Sequence, residues 1–417
     1  MQKLSDTLRE RGYVYQHSSE TIEEITDGVP RTLYLGVDPT ADSMHVGQLQ
    51  GILVLRRFIE AGHKLIILVG GGTGMVGDPG GKSTERNLLS DEMVDSNAAA
   101  LKKQFEQLLG SVDFQMVNNA DWLRAISMME FLRDTGKHFT VNEMIKRDSV
   151  RPRLETPDQS ISYTEFSYML MQAYDYLHLN KTLGCDLQVG GSDQWGNIIS
   201  GVDLIRRVEQ KQAYAFSWPL LVDKKTGKKF GKSEKGTVWL DESKTSFFDF
   251  YQFWLNTDDD AVEEFLLKMT MITKEDIDSV LATHNENPSV RFGQQRLAHE
   301  VTSLVFGPEK AKRAELVSRV LFGKDGSTQS MNDGDWNLIA EDFPTFHASV
   351  GVSLADVLVA SNLASSKREA KQFLEDGAIT LNYKTESADR QLHEIDFPNK
   401  RAHLQRGKRN VVVLTLQ

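Results

Sequence analysis

Arg31-Thr32-Leu33-Tyr34-Leu35-Gly36-Val37, the turn Asp38-Pro39-Thr40, a run with Leu49, Ile52, Leu55 and Ile59 on one side, Gly62, and then Leu65-Ile66-Ile67-Leu68-Val69 follow one another in the chain. The first segment reads as a strand. The spacing of the second predicts a helix from about Val46 to Ala61, with Gly62 as its stop. The last segment is a strand-sized apolar run of the kind buried on both faces. Farther on, Leu101, Phe105 and Leu108 mark another amphipathic helix, and Phe114 to Val117 reads as the next strand. Alternation of this kind implies a parallel sheet with covering helices, so residues 31–225 read as α/β.

Downstream the pattern changes. From about Phe247 to Val320 strands are not expected, and Ala261 to Met269 and Arg291 to Val305 read as helices. Gly, Ser, Asp and Asn crowd residues 323–335, which suggests a linker. From about Val352 a compact α/β unit is expected. In it, Ser366 and Glu369 have the spacing of a capping box, Gly377 fits a helix stop, and Ala378 to Asn382 reads as a strand. The expected domains are therefore 1–225, 226–322 and 351–417, with a linker at 323–350.

The chain has 417 residues, too many for one small core. Hydrophobic residues make up 40% and charged residues 26%, an ordinary globular balance, and no run of about 18 apolar residues predicts a membrane span. One cysteine, Cys185, excludes an internal disulfide and argues against a Cys-based zinc site. Asp6, Arg9, Glu10 and Arg11 interrupt any apolar core of a signal peptide, so a cytoplasmic protein is expected. The net charge of −11 argues against nonspecific coating of nucleic acid, while a local basic surface remains compatible with it.

Two glycine-rich stretches imitate nucleotide motifs. Gly72-Thr73-Gly74-Met75-Val76-Gly77 matches the dinucleotide fingerprint, but Asp78-Pro79-Gly80-Gly81 follows where a helix would have to open. Gly81-Lys82-Ser83 imitates the end of a P-loop, but Val76 stands where its first glycine belongs. Two other segments carry more. Near Met44-His45-Val46-Gly47-Gln48 a strand has ended and a helix begins, and a helix start offers free N–H groups to phosphate. His45 can donate to a phosphate oxygen, and Gly47 would let a flat base approach the helix backbone. Far downstream, Lys228-Lys229-Phe230-Gly231-Lys232-Ser233 sets cations among glycines. The bland alternative is a solvated hairpin. The functional one is a loop that brings cations onto a phosphate chain as charge develops. Between them, Tyr168, Gln172 and Asp175 fall at i, i+4 and i+7, on one face of a helix otherwise rich in Phe166, Met169, Leu170 and Ala173. Polar groups aimed inward need partners, so that face predicts a pocket for a polar ligand.

Together the His45 and Lys229 segments resemble the "HIGH" and "KMSKS" signatures of class I aminoacyl-tRNA synthetases. The stretches Ser162 to Asp175 and Gln188-Val189-Gly190-Gly191-Ser192-Asp193-Gln194-Trp195-Gly196-Asn197 narrow the resemblance to the bacterial-type tyrosine family. It runs from about residue 31 to the C-terminus and is strongest before residue 240. It implies a Rossmann-like parallel-sheet catalytic domain, an α-helical domain contacting tRNA, and a small α+β RNA-binding domain. It implies that Tyr34 and Asp175 hold a tyrosine hydroxyl, that Asp78, Tyr168 and Gln172 hold the α-ammonium, and that Gln194 lies near the carboxylate. For ATP it implies Asp38, His45, Gly47, Gln48, Gly190, Gly191, Asp193 and Lys232. The catalytic set it implies is His45, Lys82, Arg86, Lys229 and Lys232, with Mg²⁺ accompanying ATP and no protein-bound metal. A homodimer and tRNA(Tyr) are the implied partners, without a membrane. Lys367, Arg368 and Lys371 resemble an RNA-binding helix, and Lys400, Arg401, Arg406, Lys408 and Arg409 add a second basic cluster. Two departures stand out: Gln48 replaces the last histidine of the first signature, and the loop reads Lys-Phe-Gly-Lys-Ser. The related tryptophan enzyme, an NAD oxidoreductase and a non-charging RNA binder are the alternatives.

Overall fold

The structure is a computed structural model. It describes residues 2–77, 90–110, 112–147, 150–157, 160–222, 230–233, 236–323, 328, 330–407 and 410–416. Contacts divide the chain into two compact units, Met1–Thr245 with Asp258–Gly293, and Ser246–Thr257 with Gln294–Gln417.

The first unit is built on a six-stranded sheet of β1 (Gln16–His17), β2 (Thr32–Val37), β3 (Lys64–Val69), β4 (Phe114–Asn118), β5 (Leu187–Gly191) and β6 (Tyr214–Trp218), in the order β1-β6-β5-β2-β3-β4. All pairs are parallel except β1 with β6. The expected strands and helices here agree to within a residue or two. Val46–Glu60 crosses from β2 to β3, Asp91–Leu109 from β3 to β4, and Trp195–Glu209 from β5 to β6. Gly62, at φ +93°, follows the first of these helices, a conformation that costs glycine little. Tyr163–Leu183 opens on a capping box between Ser162 and Glu165 and closes on Gly184 in the left-handed region. From β2 the chain winds one way through β3 and β4, and from β5 the other way through β6. The β2/β5 boundary is thus the topological switch point, where open α/β sheets hold ligands. There Tyr34 pairs in register with Ile66 on one side and Gln188 on the other.

The second unit carries a five-stranded sheet of β9 (Thr345–Ala348), β10 (Ile379–Leu381), β11 (Lys384–Glu386), β12 (Arg401–Arg406) and β13 (Asn410–Leu416), ordered β11-β10-β12-β13-β9; the hairpin strands β7 (Lys232–Ser233) and β8 (Gly236–Thr237) belong to the first unit. Two expectations need correction. The segment 226–322 does not behave as one helical block, because Asp258–Gly293 belongs with the first unit, where Val262–Met269 lies against the helix Val46–Glu60. Nor is 323–350 a plain linker. It contains the helix Asp333–Leu338 and β9, which pairs parallel to β13. Trp336, Ile339 and Phe343 supply the physical reason: they are buried with Leu316, Val320, Val411 and Val413 in one core. The expected capping box at Ser366 is half formed. Ser366 accepts from Glu369 N, but the Glu369 carboxylate turns back to Ser365 N and Oγ. Among the described residues no helix is long and apolar enough to cross a membrane.

Candidate active site

A cavity of about 390 Å³ opens at the switch point. β2 and the turn after it contribute Tyr34, Asp38 and Thr40, and the start of Val46–Glu60 contributes His45, Gly47 and Gln48. Helix Tyr163–Leu183 contributes Tyr168, Gln172 and Asp175, and β5 with the turn that follows contributes Gln188, Gly190, Gly191, Asp193 and Gln194. The cavity thus gathers twelve of the residues singled out above, from segments far apart in sequence. Asp78, Lys82, Arg86 and Lys229 lie outside the described residues, and Lys232 is described only through its backbone in β7.

Asp175 anchors the floor and is almost fully buried. Trp122 Nε1 donates to its Oδ1 at 2.7 Å and Asn119 Nδ2 to its Oδ2 at 2.8 Å. Burial still dominates and pushes the carboxyl up to about 7, against the lowering pull of those two donors, with the Asp38 carboxylate adding a further rise. The folded state therefore holds this proton more tightly than the unfolded chain does. This group's own contribution to stability is full at low pH and is lost as pH rises from the ordinary carboxylate range through about 7.

From Asn119 a hydrogen-bond chain crosses the site. Asn119 Nδ2 also donates to Thr73 Oγ1 at 3.0 Å, Thr73 Oγ1 to Asp38 Oδ1 at 3.1 Å, and the Tyr168 hydroxyl to Asp38 Oδ2 at 3.1 Å. Three other polar atoms of the cavity lining have no protein partner among the described residues. Tyr34 Oη, Gln172 Oε1 and Gln188 Oε1 are all buried, and all three side chains line the cavity. Burial beside Asp175 also raises the Tyr34 phenol well above its ordinary pKa. Each buried orphan costs about 1–3 kcal/mol, so their convergence on one cavity points to a ligand with polar groups at matching places.

The opposite end of the cavity is a helix start. His45 is the N-cap of Val46–Glu60, and its Nδ1 accepts from Gly47 N at 3.1 Å. That bond assigns the proton of the neutral ring to Nε2, which makes Nε2 a donor. Gln48 completes a capping box by accepting His45 N at 3.1 Å. At Gly47 the chain's own packing also leaves little room for a side chain. A Cβ there would lie 3.0 Å from the Phe230 carbonyl and 2.9 Å from the His45 ring. Likewise, a Cβ on Gly190 would meet Ile198 Cδ1 at 2.9 Å and one on Gly191 would meet Asp193 Oδ1 at 2.8 Å, side-chain ends that would have to shift.

Thr73, Asn119, Trp122 and Gln188 were not singled out in the sequence. A signal existed for three of them. Thr73 follows the carboxyl end of β3, and Asn119 and Trp122 follow that of β4, which is where open α/β sheets gather ligand-contacting groups. His178 stacks on Trp122 at 4.3 Å and 17°, so the indole that holds Asp175 is itself held.

Comparison with known proteins decides the family. A family model described as tRNA synthetases class I (W and Y) matches residues 26–323, and one described as a tyrosine–tRNA ligase SYY-like C-terminal domain matches 335–414. A tyrosine–tRNA ligase of Roseiflexus castenholzii is 46% identical over 399 residues, 93% of each chain. Tyrosine–tRNA ligase 1 of Vibrio parahaemolyticus is 44% identical over 412 residues, 98% of this chain and 97% of the other. The chain belongs to the bacterial-type tyrosyl-tRNA synthetases. Among solved structures, a C-terminally truncated mitochondrial tyrosyl-tRNA synthetase of Aspergillus nidulans superposes with a TM-score of 0.69 at 31% identity, covering 77% of this chain and 95% of that one. A tryptophanyl-tRNA synthetase of Encephalitozoon cuniculi, 15% identical with a TM-score of 0.54 over 80% of this chain and 91% of that one, shares the fold. In this chain, glutamine at the fourth position of the first signature has a definite structural task, since its side chain closes the cap on the His45 helix.

Proposed function

We propose how the cavity carries the reaction of its family. The chain activates L-tyrosine with ATP, giving tyrosyl-adenylate and pyrophosphate, and transfers the tyrosyl group to the 3′ end of tRNA(Tyr). The observation that carries the assignment of parts is the convergence of the Asp175 carboxylate with the orphaned Tyr34 Oη, Gln172 Oε1 and Gln188 Oε1. Tyr34 and Asp175 take the substrate hydroxyl, and Gln172 and Tyr168, with Asp78, take the α-ammonium. Gln194 lies by the carboxylate, and Asp38, Asp193 and the Gly190-Gly191 backbone lie by the adenylate. The carboxylate oxygen attacks the α-phosphorus in line and the bond to the β-phosphate bridging oxygen breaks. His45, Lys82, Arg86, Lys229 and Lys232 stabilise the charge that leaves with pyrophosphate, and Mg²⁺ enters with ATP as part of the substrate. A hydroxyl of the tRNA 3′-terminal ribose then takes the tyrosyl group and AMP departs. Pyrophosphate exchange into ATP with tyrosine, tryptophan and phenylalanine tests this reading; exchange driven by tryptophan as well as by tyrosine overturns it.

The protonation of Asp175 gives a pH prediction. Only the ionised carboxylate accepts the substrate phenol without competition from its own proton. Tyrosine affinity is therefore expected to weaken as pH falls below about 7, the range where burial has placed this carboxyl. Equilibrium dialysis of tyrosine between pH 5.5 and 8.5, values spanning about 1.5 units either side of neutrality, checks it. A flat profile means that Asp175 is not the acceptor.

Gln48→His is expected to retain adenylate formation within roughly a factor of three. It should lower thermal stability by about 1 kcal/mol, because the reciprocal arm of the cap to His45 N is lost. Stopped-flow activation rates and thermal unfolding measure the two effects separately. A large loss of rate without loss of stability would give Gln48 a direct part in ATP binding.

We assign tRNA contact in the second unit to Lys367, Arg368 and Lys371, all exposed on the helix Lys367–Glu375. Lys367 pairs with Asp356 at 2.5 Å, but both side chains are open to water, and such a pair holds a lysine only weakly against phosphate. Two members of the other basic cluster have structural work instead. Arg401 donates to Asp333, and Arg406 donates to the Leu363 carbonyl and lies over Phe373. Replacing Lys367, Arg368 and Lys371 together with glutamate should leave pyrophosphate exchange unchanged and weaken tRNA charging at least about tenfold at low salt, with the gap to the parent narrowing as salt rises. Unchanged charging refutes the assignment. We further infer a cytoplasmic homodimer. Met128, Met129, Val141, Leu154 and Tyr163, exposed apolar side chains of the first unit, support a contact between copies.

A further inference from the structure

The helix Val262–Met269 belongs to the unit that holds the cavity, although none of its residues lines it. Its last carbonyls are tied down. Arg11 donates to the carbonyls of Leu267 and Thr270, each at 2.9 Å, Tyr13 to that of Lys268 at 2.8 Å, and Arg57 to that of Thr270 at 3.3 Å. Cations at a helix C-terminus satisfy its orphan carbonyls and its dipole together. Arg57 sits near the end of Val46–Glu60, the same helix whose first turn is capped by His45, so the two helices share one rigid frame.

Phe265 projects from that anchored helix. It is nearly buried, and its ring meets the ring of Phe230 with centroids 4.7 Å apart and planes at 42°. Phe230 stands between Lys229 and Gly231-Lys232 in the sequence. A Cβ on Gly47 would lie 3.0 Å from the Phe230 carbonyl, and a Cβ on Gly231 would lie 3.2 Å from Gly47 N. Beyond the loop, Val238 ties it to the helix start: Val238 N donates to the Gly231 carbonyl and Val46 N to the Val238 carbonyl.

We propose that Phe265 is a positioning residue for the lysine loop, holding Phe230, and with it the backbone through Gly231, against the first turn of the His45 helix. Tilted aromatic pairs at this separation attract beyond their apolar area. One partner here is fixed to the frame, and the other lies in a segment with glycine at positive φ, so the contact biases where that segment sits. The proposal rests on the reading of Lys229 and Lys232 as cations of the activation step. It adds a residue that touches no substrate.

The test uses the full chain and the variants Phe265→Leu, Phe265→Tyr, Phe230→Leu, the Phe230→Leu/Phe265→Leu double, and Lys232→Ala. Adenylate formation is followed in single turnover at saturating tyrosine and ATP, tyrosine affinity by equilibrium dialysis, and folding by thermal unfolding. Phe265→Leu keeps an apolar side chain but removes the ring, and is expected to slow adenylate formation about three- to tenfold. Tyrosine affinity should stay within about twofold, and Phe265→Tyr, which keeps the ring, should restore the rate. The double variant should be no slower than the slower single one, because both remove the same contact. A parental rate for Phe265→Leu beside a slow Lys232→Ala overturns this inference alone. A parental rate for Lys232→Ala overturns the reading of the loop and the inference with it. Loss of tyrosine affinity in step with rate, or effects of Phe230 and Phe265 that multiply, assigns Phe265 to general packing and overturns the proposal.

Discussion

Asp175→Ala is expected to lose tyrosine selectively, so that tyrosine and phenylalanine drive activation at similar, low efficiency. The geometry makes the loss larger than that of one hydrogen bond. Asp175 receives Trp122 Nε1 on one oxygen and Asn119 Nδ2 on the other, and its side chain is almost fully buried. Removing the carboxylate strands both donors as well as the substrate phenol. A hydrogen bond to a charged group contributes about 1.5–3 kcal/mol, and each stranded buried donor costs about 1–3 kcal/mol more. Part of that second cost falls on the free protein and appears as instability. The part that tyrosine binding would have relieved appears in kcat/KM, which should fall at least about a hundredfold for tyrosine and little for phenylalanine. Asparagine is not a gentle replacement here. It has one acceptor oxygen for two donors, so its own NH₂ must face Trp122 or Asn119. Pyrophosphate exchange with both amino acids measures the outcome. A variant that still prefers tyrosine as strongly as the parent removes Asp175 from the recognition of the hydroxyl.

That site shows where sequence reading stops. Tyr168, Gln172 and Asp175 were legible because helical periodicity alone puts them on one face, and an inward polar face needs a ligand or a partner. The partners were not legible. Asn119 and Trp122 stand after β4, Thr73 stands after β3, and the helix with Asp175 comes some fifty residues later; only the strand order brings them together. Gln188 reaches the cavity because β5 lies beside β2 in a register that sets it against Tyr34, a pairing that neither strand's sequence records.

The fold divides in the same way. Apolar runs such as Leu65 to Val69 announce parallel strands, and the helices between them follow from their spacing. The return of Asp258–Gly293 to the first unit has no comparable mark, because Arg11, Tyr13 and Arg57 hold it through backbone carbonyls, and any residue carries one. Residues 323–350 mislead for the opposite reason. Their polar opening signals a linker, while the apolar spacing of Trp336, Ile339 and Phe343 just after it signals a buried element. Their burial against Leu316, Val320, Val411 and Val413 also means that ending the chain near Asp335 would uncover a core, so charge reversal on Lys367, Arg368 and Lys371 separates RNA contact from folding more cleanly than truncation does.

Replacing Lys229 or Lys232 with alanine is expected to slow adenylate formation about a hundredfold or more while tyrosine affinity stays within about twofold. Gly231 takes φ +105°, and a Cβ on it would lie 3.2 Å from Gly47 N, so the chain passes directly over the first turn of the His45 helix. Val238 receives Val46 N on its carbonyl at 3.0 Å and donates to the Gly231 carbonyl at 3.1 Å, which fixes the far stem of the loop to the same turn. Lys232 is the next residue after Gly231 and opens β7. A cation carried there meets an anion that the helix dipole and the His45 Nε2–H already favour. In the ground state ATP keeps its charge spread over three phosphates and shared with Mg²⁺. As the α-phosphorus is attacked, charge builds on the departing pyrophosphate, so the lysines bind more tightly at that moment than before it, and the lost stabilisation appears in the rate constant rather than in tyrosine binding. Gly231→Ala should mimic part of the defect without removing a charge, because an alanine at this φ is strained and its methyl meets Gly47 N. Stopped-flow rates of adenylate formation, set beside tyrosine dissociation constants for each variant, decide the matter: parental rates in both lysine variants would sink the role given to the loop, and a parallel loss of rate and tyrosine affinity would mean that the lysines hold the ground state instead.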